Sequence, residues 1–432
     1  MSSAPFDRRR FLAALAAAPV LAALLQACGD DDPGATTTGE RRSDVARATA
    51  DPALASAAAD AVNLFGTDLY RRLAAAAPTE NVVLSPTSIA IALAMTTAGA
   101  AGVTLTELLR VLRVPSADDG STDTDLHAGM NALDAALTAR NRADVELSLA
   151  NATWVHEPLD VEQAFLDVLA AQYGSGVELV DFESDPDGAR VAINAWVAER
   201  TNDRIPELLA PGTIDELARL VLVNAVYLNA SWAEPFQRES TRDAPFTTAA
   251  GDTVDVPTMV RQAEMPYASG DGWQAVELPY AGDELAMLLF LPEPGFLPTF
   301  EEIFLVTDAT PYLEPRLVQL ALPRWDTSSA VDLAQPLVAL GLTTAFSDDA
   351  DFSRITTALP LQIARVVHQA NITVTEDGTE AAAATAVVMN PVSAPPTDEP
   401  IALAFDHSFV FALRDRATGA VLFLGRVADP RG

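Results

Sequence analysis

The residue types that most often carry chemistry are scarce in this chain and are not arranged as catalysts. Four histidines, His127, His156, His368 and His407, and one cysteine, Cys28, are its whole stock of imidazole and thiol. Metal and nucleophile chemistry need such groups at fixed spacings: two His one helical turn apart, paired thiols, or a Ser on a Gly-x-Ser-x-Gly turn. None of these patterns occurs, and no glycine-rich phosphate loop opens a helix. Carboxylates number 60, but none stands in a setting that would tune it as an acid or base. An unmarked Ser–His–Asp triad is the one enzymatic reading left. The expectation is a protein that is not an enzyme and uses no metal and no cofactor.

The N-terminus has a more specific pattern. "MSSAPFDRRRFLAALAAAPVLAALLQACGDDD" has a basic start, an apolar run over 11–27 and a small residue before Cys28. The run is short for a spanning helix and has signal-peptide flanks. "DRRRFL" fits a twin-arginine export signal, and "LQAC" resembles the lipobox of bacterial lipoproteins. Residues 1–27 therefore read as a signal peptide and Cys28 as a lipidated first residue; an ordinary cleaved signal with an incidental Cys is the alternative. A Cys so committed leaves none for a nucleophile or metal site. Residues 28–52, polar and rich in Gly, Thr, Asp and Ala, read as the lipidated Cys and a flexible linker. The chain is expected outside the cytoplasm, anchored on the cytoplasmic or outer membrane or secreted. Its net charge of −33, with Arg as the only strongly basic residue and no Lys, repels nucleic acid and anionic lipid. Membrane contact would come only through the lipid.

From 53 onward no repeat and no second linker interrupts the chain. "ASAAADAVNLFGTDLYRRLAAAA" has helical periodicity. "ENVVLSPTSIAIALAMTTAGAAG" reads as a short strand, then a helix capped by Ser85 with Pro86 in its first turn. Further helices are expected near 104–113, 127–140, 160–172 and 187–202. Strand-like runs follow: "VELSLANATWV", "ARLVLVNAVYL", "WQAVELPY", "LAMLLFLP", "LVQLALPRW", "ITVTE", "FVFALR" and "AVLFLGRV". Helices dominate the first half and strands the second, which argues α+β with largely antiparallel sheets.

One segment fits neither class. "EDGTEAAAATAVV" (376–388) is Ala-rich enough for a helix, yet a loop-like "MNPVSAPPTDEP" follows it. It resembles the proximal hinge of the reactive-centre loop of inhibitory serpins. Collinear support comes from "NVVLSPTSIAIALAMTTAGA" (81–100), "LVLVNAVYLNASWAEPF" (220–236), "VDVPTMVR" (254–261), "FDHSF" (405–409) and "FLGRVADP" (423–430). The resemblance covers about 55–430 and implies one domain, 53–432, of helices packed on large, mostly antiparallel sheets, with an exposed loop at about 376–400.

It also implies a mechanism. The target protease cleaves the loop, whose N-terminal half then enters the main sheet as a new strand, an instance of strand addition and strain release. In a strand, Thr379, Ala381, Ala383, Thr385, Val387 and Met389 would face the core, and Glu380, Ala382, Ala384, Ala386 and Val388 would face outward. The core-facing set is uncharged and mostly small, so it can slide in without burying an unpaired charge. Gly378 supplies the hinge. By resemblance the scissile bond lies 14 residues after Gly378, at Val392–Ser393, flanked by Met389, Asn390 and Pro391. Gly378 to Val392 would span roughly 45–50 Å when extended. Val before the bond suits elastase-like serine proteases in a covalent 1:1 complex with a monomeric inhibitor; a trypsin-like pocket would want a basic residue.

The resemblance also assigns supporting residues. Ser85, Ser88, Asn224 and His368 match a polar cluster where the sheet parts, Ser85 serving as helix cap as well. Trp232, Arg324 and Glu376 match the place where insertion starts, with Arg324 expected to pair with Glu376. Two departures stand out. "SAPPTDEPIALAF" after the bond is longer than the family pattern, and Ser408 stands where Pro is usual. A non-inhibitory binding protein of the same fold, or an inhibitor of cysteine proteases, remain the alternatives.

Overall fold

The sequence places apolar positions all round one helix and on alternate positions of most strands, and the architecture follows from that. A computed structural model describes residues 39–114, 123–303, 309–380 and 399–432, all within one compact unit, Thr36–Gly432. Eight helices are described: α1 (Ala55–Ala76), α2 (Pro86–Thr97), α3 (Gly102–Val111), α4 (Asp123–Thr138), α5 (Gln163–Val168), α6 (Pro186–Arg200), α7 (Leu297–Ile303) and α8 (Ala334–Ala339). Every residue of α2 is buried, as expected of a helix without a polar face. Ser85 caps it, its Oγ accepting the Ser88 N–H at 3.3 Å, with Pro86 in the first turn. The helices expected near 104–113, 127–140, 160–172 and 187–202 are α3, α4, α5 with the π-turn Leu169–Tyr173, and α6.

The strands are β1 (Gly39–Arg41), β2 (Val82–Leu84), β3 (Val145–His156), β4 (Val177–Val180), β5 (Leu220–Ser231), β6 (Arg242–Thr247), β7 (Thr253–Gly270) and β8 (Trp273–Pro279). They continue with β9 (Leu285–Pro292), β10 (Glu314–Pro323), β11 (Trp325–Asp332), β12 (Arg365–Val374), β13 (Gly378–Thr379), β14 (Ile401–Ala404), β15 (Phe409–Asp415) and β16 (Val421–Val427). Seven form one sheet in the order β1-β4-β3-β5-β13-β12-β11, and β5 also pairs directly with β12. The other nine form a second sheet, β14-β10-β7-β8-β9-β15-β16-β2, with β6 on β7. Among the described strands only β3–β4, β5–β12 and β10–β14 pair in parallel. The α+β class with mostly antiparallel sheets is what the sequence indicated. Helix α2 lies between the sheets, tied to β12 through Ser85 and to the second sheet through Thr87, whose Oγ1 donates to the Val421 carbonyl at 2.8 Å.

The elements most at odds with the sequence reading are β7 and β1; β4, β6, β11, β14, α7 and α8 were not anticipated either. Strand β7 runs for 18 residues, of which the sequence flagged only a short motif. Its burial alternates loosely because it serves several neighbours along its length. The second is a correction: the linker expected over 28–52 is ordered from Gly39, where β1 pairs antiparallel with β4. Polar composition suggested a free tether, but these polar side chains find specific partners. Residues 1–27 and Cys28 lie outside the described residues. Among the described residues no helix is long and apolar enough to cross a membrane.

Candidate functional site

The first sheet is divided along its centre. Strands β5 and β12 pair in parallel from Val221–Val226 to Arg365–Ala370, and the direct ladder stops there. At the top, β13 sits between them, antiparallel to both: Thr379 is level with Ala230 of β5 and Val374 of β12. The turn from β12 into β13 is tight, with the Thr375 N–H on the Gly378 carbonyl and the Glu380 N–H on the Thr373 carbonyl, each 2.9 Å. Gly378 has φ +150°, and a Cβ there would stand 2.1 Å from the Ala230 carbonyl oxygen. No other residue fits that approach.

Around this entry the chain is clamped by buried polar groups. The Thr379 and Tyr280 hydroxyls are 2.5 Å apart, with Tyr280 stacked at 4.4 Å on Trp232. Trp232 donates its indole N–H to the Thr375 carbonyl (2.9 Å) and its backbone N–H to the Asp377 carbonyl (2.9 Å). Glu376 is buried; Oε1 accepts from Arg324 Nε at 2.8 Å and from the Thr241 hydroxyl at 2.5 Å. Burial works to raise the Glu376 carboxyl, but the Arg324 and Thr241 hydrogen bonds outweigh it and hold it below the usual range. Asp377, also buried, pairs with Arg238.

Glu380 is the odd member. Its φ is +52° and its side chain is 5% exposed, with Arg204 Nε at 3.5 Å from Oε2. Burial pushes this carboxyl above the usual range; Arg204 opposes the rise and Asp326 adds to it. Arg204 belongs to the α6–β5 connection, which spans the parting strands. Ser148 of β3 donates to the Arg200 carbonyl (3.0 Å), and Asn371 of β12 donates to the Arg204 carbonyl (3.3 Å).

Lower down, where β5 and β12 still touch, a polar row crosses the sheet. Asn151, Asn224 and His368 are level on β3, β5 and β12. His368 Nε2 accepts the Ser85 N–H at 3.1 Å, so Nδ1 carries the proton and donates to Asn224 Oδ1. The Asn224 amide N–H₂ then donates to Ser88 Oγ (2.5 Å) and to Asn151 Oδ1. Complete burial pushes the His368 imidazole down to about 3, so it is neutral. Its partners are a backbone N–H and an amide, which is no nucleophile–base pair.

The structure thus brings Ser85, Ser88, Asn224 and His368 into one network and Trp232, Arg324, Glu376, Gly378 and Thr379 into another. It places Glu380, expected to face outward, beneath the α6–β5 connection rather than in water. Ala381, Ala382, Ala383, Ala384, Thr385, Met389, Asn390, Pro391, Val392 and Ser393 lie outside the described residues. Sequence reasoning missed Asn151, Tyr280, Thr241, Arg238 and Arg204. Asn151 carried a signal, a polar residue inside the otherwise apolar strand "LANATWV". Tyr280 was read only as the end of a strand, and the three others are surface types until the fold brings the hinge to them.

Comparison with known proteins bears on what this arrangement is. The family model described as Serpin (serine protease inhibitor) matches residues 60–430. A bovine (Bos taurus) leukocyte elastase inhibitor is 35% identical over 378 residues, 85% of this chain and 97% of that protein. An uncharacterised serpin-like protein of Thermococcus kodakarensis is 36% identical, covering 86% of this chain and 85% of its own. Among solved structures, human thyroxine-binding globulin complexed with thyroxine superposes with a TM-score of 0.78 at 27% identity, covering 88% of this chain and all of that one.

Proposed function

This chain belongs to the serpin family, and from that premise we propose that it is a single-use inhibitor of serine proteases, cleaved at Val392–Ser393 and closed by strand insertion. The observation that carries this reading is β13: two residues of the hinge already occupy the slot between β5 and β12, antiparallel to both. A strand continued from Thr379 in that register sets Ala383 level with Val226 and Ala370, where the direct ladder begins, and Thr385 level with Asn224 and His368. Met389 reaches the level of Leu220, the last residue of β5, and Val392 passes beyond it. The same register keeps Thr379, Ala381, Ala383, Thr385, Val387 and Met389 on the face that Thr379 already buries.

The chemistry belongs to the protease. Its serine attacks the Val392 carbonyl and expels the Ser393 amine, leaving an acyl-enzyme. Insertion must then outrun deacylation and carry the bound protease from one end of the sheet toward the other. The chain itself performs no catalysis and needs no cofactor. Val392 and the elastase inhibitor among its relatives support an elastase-like target. The leader supports export and a lipid anchor at Cys28, with the folded part monomeric outside the cytoplasm.

The test mixes the full chain with an elastase-like protease and runs the products on a denaturing gel. A covalent complex and a released fragment beginning at Ser393 are expected. Cleavage without any complex would favour a non-inhibitory binding role, and a fragment starting elsewhere would move the bond.

A further inference from the structure

The family match begins at residue 60, yet the chain is ordered and specifically bonded from Gly39. Strand β1 closes the outer edge of the dividing sheet against β4. The chain then crosses to the helices. Ser43 Oγ donates to Asp167 Oδ1 of α5 at 2.5 Å, and the Ala48 N–H donates to the Ala171 carbonyl at 2.7 Å. Arg47 reaches α4 twice, through Nε to Asn131 Oδ1 (3.0 Å) and a terminal nitrogen to Asp134 Oδ2 (2.5 Å). Asn131 returns a bond from Nδ2 to the Ala48 carbonyl at 3.1 Å. Asn131 is 2% exposed, so both ends of a buried amide are satisfied by this segment. The body is also shaped for it: a Cβ on Gly176 would stand 2.4 Å from the Arg41 carbonyl oxygen.

The two ends of this segment grip parts of the molecule that insertion would displace relative to each other. Admitting a strand between β5 and β12 widens the sheet by about 4.8 Å. The displaced half carries β5, β3, β4 and, through β4, β1. The other grip, α4, packs closely on α1, where a Cβ added to Gly129 would stand 3.3 Å from Ala58 Cβ. Helix α1 is pinned to the second sheet: Asn63 donates to the Gly419 carbonyl and accepts the Val421 N–H, each 2.9 Å. Only five residues separate Arg41 on the sheet from Arg47 on the helix layer.

We propose that residues 39–51 form a strap that brakes opening of the sheet, holding the uncleaved chain in its uninserted state. This rests on the insertion reading above. The strap must slip or release for the outer half of the sheet to move, so its bonds oppose opening and are absent from the inserted form.

The test compares the full wild-type chain with a Ser43→Ala/Arg47→Ala double variant, both uncleaved. Each is warmed below its melting temperature, and the fraction converted to a form of raised melting temperature is followed in time. Conversion about tenfold faster or more in the variant is expected, with the cleaved forms melting alike. Gly176→Val, which pushes on the strap from the sheet side, should act in the same direction. Arg47→Ala alone removes the side-chain grip on α4 and decides the matter if the stronger variants do not fold. Equal conversion rates, in a protein whose wild type gains stability on loop cleavage, would overturn the strap alone. A wild type that gains no stability on cleavage would overturn insertion and the strap with it.

Discussion

His368 and Asn224 are hydrogen-bonded across the two strands that a new strand would have to part. With Nε2 accepting the Ser85 N–H, the neutral ring carries its proton on Nδ1, and a second proton on Nε2 would break the Ser85 bond. The pocket therefore selects a protonation state as well as a partner.

That selection gives a pH dependence with a definite sign. His368 titrates at about 3 in the fold and near 6.5 when unfolded, so between these values the unfolded chain binds a proton that the folded chain refuses. Its stabilising contribution is complete above pH 6.5 and falls as pH drops toward 3, at about 1.4 kcal/mol per unit. Urea unfolding of the uncleaved protein at stepped pH should show this slope. His368→Gln should lose that component and leave the carboxylate-driven part of the curve; unchanged slopes would remove His368 as its source.

Glu380 predicts the opposite sign. Burial lifts its folded carboxyl above the usual range despite Arg204 beside Oε2, so folding is disfavoured at neutral pH and relieved on acidification. Glu380→Gln should stabilise the uncleaved chain at pH 7 by about 1 kcal/mol, with the gain shrinking as pH falls. Arg204→Ala should destabilise it, leaving a buried acid without its cation. Denaturant midpoints at two pH values decide it.

How much of this was readable beforehand differs by element. Strand β5, with its apolar run, and α2, with its Ser-Pro cap, carry their class in their own residues; the polar cluster was legible only through the family resemblance. The hinge was ambiguous because Ala favours helix, and its pairing partners, Ala230 and Val374, lie far away in sequence. Of the hinge, Gly378 and Thr379 pair as β13 because β5 and β12 part there, which no local signal reports. The linker was misread for the same reason: Arg47 and Ser43 look like solvated polar residues until α4 and α5 present Asn131, Asp134 and Asp167.

Thr379 tests the entry to the slot. Its side chain is 1% exposed against Tyr280. Thr379→Arg would bury a cation beside a tyrosine whose own ionisation burial opposes, at a cost of several kcal/mol. The cost falls on the uncleaved chain, where Thr379 already occupies the slot, so its denaturant midpoint should fall. An unchanged midpoint would show that this side chain is not held between β5 and β12.

The register supplies the sharpest prediction. Insertion must break the His368–Asn224 bond and would leave both groups buried in the sheet without it. Continued from Thr379, the sixth residue along is Thr385, level with both and facing the same side, and its hydroxyl can accept from one and donate to the other. Thr385→Val preserves shape and β-branching while removing that hydroxyl. It should leave the uncleaved chain's stability unchanged and lower that of the cleaved form by about 1–3 kcal/mol, the cost of stranding buried partners. Ala383→Ser, two residues away and level with Val226 and Ala370, should give no such rescue. If Thr385→Val costs nothing after cleavage, the strand enters in another register, and the assignment of Val392–Ser393 moves with it.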